Sequence, residues 1–137
     1  MAREGGILAI LMLLLLCFET TQSTTYIVGG DEGWSPIVSM EAWSLQYKFF
    51  AGDILVFNYD EQLYNVILVD QNGHDTCTIS GNSQSFHSGH DEIPLSFGAN
   101  YFIDSNPEDC QNGMKLSINA TARPTPPTAA VKTQRLV

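Results

Sequence analysis

Between residues 24 and 120 the chain is cut into short, strand-length apolar segments by clusters of Gly, Asn, Asp and Ser. That punctuation is the pattern of a small all-β domain. Residues 53–59 alternate, so Leu55, Phe57 and Tyr59 share one face. Residues 64–70 are more continuously apolar, as a strand covered on both faces requires. Residues 99–103 form another segment, and residues 114–119 place Met114, Leu116 and Ile118 inward, with Lys115, Ser117 and Asn119 outward. Only residues 38–47 suggest a helical turn or two, with Trp43 and Tyr47 spaced to share one side. Trp34, Trp43, Phe50 and Phe57 are expected in the core. The sum is a β-sandwich with one short helix, and about a hundred residues suffice for one such domain.

The ends read differently. Residues 7–18 are an apolar run behind a single basic residue, Arg3. The run is too short for a membrane span and is followed by small polar residues, so residues 1–23 are expected to be a secretory signal peptide. The mature chain would then begin near Thr24. Residues 121–137 shift to Thr, Ala and Pro, a composition that cannot bury a core and is expected to be a disordered tail. Its Thr-Pro clusters are candidates for O-glycosylation, and Asn119-Ala-Thr121 is an N-glycosylation sequon with its Asn outward. The closing residues hold no apolar stretch of the kind a lipid-anchor signal needs, so this form is expected to be released.

Secretion governs how the cysteines are read. Cys17 leaves with the leader, and the remaining Cys77 and Cys110 most simply form one disulfide in an oxidising compartment, a free thiol pair being the weaker alternative. Such a bond would stabilise by about 3 to 4 kcal/mol in the chain-entropy model. Charge narrows the partners. Residues 24–120 carry thirteen acidic and two basic side chains, a net of −11, against −9 for the whole chain. A strongly acidic body disfavours nucleic acid and anionic lipid as direct partners.

Catalytic patterns are lacking. Ser, His and Asp all occur, but no nucleophile-elbow or other catalytic spacing joins them, so no enzyme is expected. The stretch from His87 to Glu92 is read as a surface turn, with Gly89 at a tight bend. His74 is expected in solvent.

Taken in order, Tyr26-Ile-Val-Gly-Gly, Gly33-Trp34, Trp43, residues 50–59, Asp75-Thr-Cys77, Ser88-Gly-His-Asp91, Tyr101-Phe-Ile103 and Cys110-Gln-Asn-Gly-Met-Lys-Leu116 resemble the phytocyanins, secreted plant cupredoxins. The resemblance spans nearly all of residues 24–120, read as a phytocyanin domain, and implies a cupredoxin-like Greek-key sandwich of two sheets with a Cys77–Cys110 disulfide. In copper-binding members the ligands are two His, one Cys and an axial Met or Gln. Carried over, those positions fall on Tyr64, Asp109, Asp104 and Met114. A blue-copper centre wants two imidazoles, a thiolate and a weak thioether. Only Met114 fits, so no copper is expected, and the resemblance is closest to the early nodulin-like subgroup that lacks the ligands. It implies a copper-free binding or structural module at the plant cell surface or cell wall, in the apoplast or at the outer face of the plasma membrane. Its roles would be signalling or adhesion, its partner an extracellular protein or a cell-wall glycan, and its state monomeric, without membrane insertion. Blue-copper electron transfer is the alternative.

If the fold is kept, Tyr64, Asp104, Asp109 and Met114 converge at one end. Two carboxylates brought close repel, raising one pKa. Asp104 would then be satisfied by the Tyr64 hydroxyl or by backbone N–H groups. A hard-cation site on Asp104, Glu108 and Asp109 is the sharper but less favoured reading, since calcium sites usually need about 6 to 8 oxygens.

Overall fold

In a computed structural model, residues 23–124 are described. The expected leader, apart from Ser23, and residues 125–137 of the expected tail lie outside the described residues. Residues Thr24–Arg123 form a compact unit.

Among the described residues, seven strands make two sheets. β1 (Thr25–Ile27), β2 (Ile54–Asn58) and β5 (His90–Pro94) form a three-stranded sheet in the order β1-β2-β5, with β1 parallel and β5 antiparallel to β2. β3 (Val66–Val69), β4 (Gln84–Phe86), β6 (Gly98–Ile103) and β7 (Lys115–Ala120) form the second, antiparallel, in the order β4-β3-β6-β7. Each sheet therefore mixes strands from distant parts of the chain. This is the expected cupredoxin-like sandwich.

The alternation has the expected consequence. Leu55, Phe57, Met114, Leu116 and Ile118 meet between the sheets with Val28, Trp34, Trp43 and Phe102. Trp34 packs edge-on to Phe57 at 5.2 Å between centroids, and Phe57 lies 5.1 Å from Phe102. β3 is covered on both faces, as its continuous apolar run predicts. Val66 joins the main core, while Ile67 packs outward with Ile103 and the Cys77–Cys110 disulfide. That bond fastens the segment after β3 to the one after β6.

The expected helix is α1 (Met40–Ser44), capped by the Ser39 hydroxyl, with Trp43 5.5 Å from Tyr47. Where one short helix was expected, two more accompany it among the described residues, α2 (Gln71–Thr76) and α3 (Pro107–Gln111). Neither has an apolar stripe. Each is instead held by its N-cap, Asp70 accepting from Gly73 N–H and Asn106 from Glu108 and Asp109 N–H. The disulfide closes behind both helices, Cys77 ending α2 and Cys110 lying within α3.

Two expectations need correction. Phe50 is only half-buried, because its N–H turns in toward Asp53 while its ring faces Lys48 and Arg123; the buried neighbour is Phe49. His74 is not in open solvent: its side chain is 16% exposed, its ring lies 5.3 Å from Tyr101, and its carbonyl accepts from Lys115.

Candidate functional site

One end of the sandwich is built from two chain segments, the approach to β3 and the connection from β6 through α3 to β7. Asp104, one residue past β6, is 1% exposed. Its N–H donates to the Met114 carbonyl at 3.1 Å, and the Met114 N–H donates to the Asp109 carbonyl at 3.0 Å. Main-chain bonds thus tie Asp104, Asp109 and Met114 into one loop. Met114 is fully buried in the core.

The approach to β3 docks onto this loop through Asn65. Its N–H donates to Asp104 Oδ1 at 2.9 Å, and Asp104 Oδ2 accepts from Asn106 N–H at 2.9 Å. The Asn65 side chain is paired twice with Ser105, Nδ2 to Oγ at 2.7 Å and Ser105 N–H to Oδ1 at 2.8 Å. Its carbonyl accepts from Trp34 Nε1 at 2.8 Å. Asn65 is the organising residue here. Sequence reasoning singled out Tyr64 beside it and passed over Asn65. An amide side chain next to an apolar strand start was the available signal. Tyr64 is half-buried against the main core. Of the two donors expected for Asp104, the backbone N–H groups take the role.

Burial pushes the Asp104 pKa above the usual carboxylate range; the Asn65 and Asn106 N–H groups pull it down, and the charge of Asp109 raises it further. The like-charge effect expected from two neighbouring carboxylates is therefore present, but it is secondary to desolvation.

This donor set does not suit a blue-copper centre. It offers a phenol, two carboxylates and a thioether, and both oxygens of Asp104 already accept main-chain hydrogen bonds. Cys77 and Cys110 are spent in the disulfide. Two of the three histidines are engaged elsewhere: His74 Nδ1 meets Asp75 at 2.9 Å, and His90 Nδ1 meets Asn58 at 2.5 Å. Among the described residues no group of three or more His, Cys, Asp or Glu gathers as a metal set, the trio of Asp104, Glu108 and Asp109 included.

The turn at Gly89 is built as expected. Its φ is +80°, and a Cβ there would meet Glu61 Oε2 at 2.8 Å and the Tyr59 carbonyl at 3.1 Å. Asp91 accepts from Ser88 Oγ at 2.6 Å and from the Tyr59 hydroxyl.

A two-sheet sandwich closed at one end by such a loop defines a cupredoxin-type domain. The plastocyanin-like domain model matches residues 34–114. Early nodulin-like protein 22 of Arabidopsis thaliana is 44% identical over 122 residues, covering 84% of this chain and 87% of that protein. Basic blue protein of Cucumis sativus is 43% identical over 95 residues, 69% of this chain and 97% of that one. The solved structure of cucumber basic protein, a blue copper protein, superposes with a TM-score of 0.67 at 42% identity, covering 71% of this chain and 99% of that chain. The chain belongs to the phytocyanins, within the plastocyanin-like domain family.

Proposed function

We propose that this protein is a secreted, copper-free phytocyanin, not an enzyme, that works as a recognition or structural module at the plant cell surface or wall. One observation carries the reading. The position that the family resemblance assigns to the copper thiolate is Asp104, a buried carboxylate whose two oxygens are already satisfied by Asn65 and Asn106 N–H. A thiolate supplies the covalency of a blue-copper site, and a saturated carboxylate does not replace it. Tyr64 and Asp109 stand where the resemblance assigns imidazoles, and Met114 alone keeps a family donor.

What remains for function is surface. Asn119 is exposed on β7 and borders a groove with Leu45, Tyr47 and Ser117. An N-glycan there would add a polar feature to an acidic body. The partner is an extracellular protein or a cell-wall glycan, and the extracellular setting follows the leader reading and the family. Among the described residues no helix is long and apolar enough to cross a membrane.

Metal analysis and a visible spectrum of the purified protein, equilibrated with copper, test this reading. No stoichiometric copper and no intense visible band are expected. One copper per chain with a strong blue absorption would restore electron transfer as the function.

A further inference from the structure

The opposite charge arrangement lies where the compact unit begins. Asp53 is fully buried, and its carboxylate takes three donors. Oδ1 accepts from Thr24 N–H at 2.9 Å and from the Arg123 guanidinium, and Oδ2 accepts from Phe50 N–H at 2.9 Å. Thr24 is also the residue at which the sequence places the mature start. Its nitrogen is an amide while the Ser23–Thr24 bond is intact. It becomes a primary amine once that bond is cut.

We propose that removal of the leader at Ser23–Thr24 creates an α-ammonium that forms an ion pair with buried Asp53, so that processing itself completes the lock between the first strand, β2 and the end of the domain. Water adds across the peptide bond under a signal peptidase, its hydroxyl going to the Ser23 carbonyl carbon and a proton to the Thr24 nitrogen. At neutral pH the amine takes up one further proton. This rests on the leader reading.

The geometry is prepared for it. The Thr24 carbonyl accepts from Ile54 N–H at 2.9 Å, and Thr25 pairs with Ile54 in the parallel register, so the nitrogen is held against Asp53 from its own side. β1 is a three-residue edge strand, which gains most from an anchor at its first residue. Thr24 is exposed, leaving room for the added hydrogens, while the acceptor beneath is buried. A charge-assisted bond is roughly twice as strong as a neutral one.

The titratable and charged groups that act on this corner are Asp53, Arg123, Tyr26 and Tyr47. Asp53 Oδ1 touches the nitrogen directly, whereas the Arg123 guanidinium opposes through that same shared oxygen, so the attraction acts across the direct contact. The α-amine should therefore titrate above its ordinary value of about 8. A raised value means that the stabilisation is full below about pH 8 and is lost as pH rises through the folded-state value.

The test secretes the full chain from plant cells and reads the mature N-terminus by intact mass. The Thr24-start protein is then compared with the same protein carrying one extra Gly ahead of Thr24, using an amine-acylating reagent at pH 7.5 that reports N-terminal labelling. The expected result is labelling about tenfold slower at Thr24 than at the added Gly, one pKa unit being a tenfold change in free amine. The Thr24-start protein should also have the higher denaturation midpoint at pH 7, the difference shrinking above pH 10. A Thr24 start with equal labelling rates and equal midpoints overturns the ion pair alone. A mature start at another residue overturns it together with the leader boundary.

Discussion

Asp53 and Asp104 are the same residue in nearly the same degree of burial, 0% and 1% exposed, and each accepts two backbone N–H bonds at 2.9 Å. They titrate in opposite directions. At Asp53 burial raises the pKa, but the Thr24 and Phe50 N–H groups and Arg123 outweigh it and hold the carboxyl below its usual range. At Asp104 burial again raises the pKa, its two N–H groups do not offset it, and Asp109 adds a like charge. The nearest side-chain charge is the clearest difference. A buried aspartate is thus held below the usual carboxylate range at one place and pushed above it at the other.

Replacing each aspartate tests that contrast. Asp53→Ala should be the most damaging, because it leaves the Thr24 and Phe50 N–H groups unpaired and removes a charge-assisted bond to Arg123; two unpaired donors at about 1 to 3 kcal/mol each, with the charged bond added, come to about 3 to 5 kcal/mol. Urea denaturation measures it, and a loss below about 1 kcal/mol would show that Asp53 anchors nothing. Removing both Cys77 and Cys110 as Ala should cost about 3 kcal/mol. Hydrogen exchange should then quicken at Asn106 and Asn112 but not at Phe50. Uniform quickening would mean that the two aspartate sites are not independent.

Asp104→Ala should cost about 1 to 3 kcal/mol, from leaving buried N–H donors unpaired without the loss of a charge-assisted bond. The pH dependence separates the two more sharply. With a folded-state pKa lowered, Asp53 contributes stability that is present above about pH 4 and lost as pH falls through the folded value. With a folded-state pKa raised, Asp104 favours the fold below about pH 4, and that advantage is lost as pH rises through its folded value. Denaturation of each variant against the parent between pH 2 and 7 should show differences of opposite slope. Parallel slopes would remove the comparison.

Much of this was readable beforehand, for identifiable reasons. The alternation of β2 and β7, the two-sided cover of β3 and the bend at Gly89 each follow from side-chain period or from a positive φ, which are local properties. α3 was readable too, since Asn106 followed by Pro107 is a helix start, but its apolar content is too small to draw notice. α2 gave less, having Gly73 inside it and an end formed by Cys77 in a left-handed conformation. The Asp104 plug was half readable. The carboxylates could be seen to converge through the family frame, but the donor was fixed by main-chain geometry at Asn65, which no side-chain pattern reports. Asp53 was passed over altogether, because two of its three partners lie 29 and 70 residues away.

Asp91 supplies the intermediate case and the smallest expected effect. It is 7% exposed and accepts from two neutral hydroxyls, those of Ser88 and Tyr59. Burial, and then the bond to Asp91, push the Tyr59 phenol up to about 12. Tyr59→Phe keeps the ring and removes the donor, so it should cost about 1 kcal/mol. The phenol's folded-state pKa is raised, so its stabilisation is complete below about pH 10 and is lost as pH rises through about 12. An absorbance titration should find one fewer late-ionising tyrosine in Tyr59→Phe. Were Tyr59 to ionise at the ordinary phenol value of about 10, the hydroxyl would not be held by Asp91. Neutral donors would then do less for a buried carboxylate than the charged donor at Asp53 by a wider margin than the geometry implies.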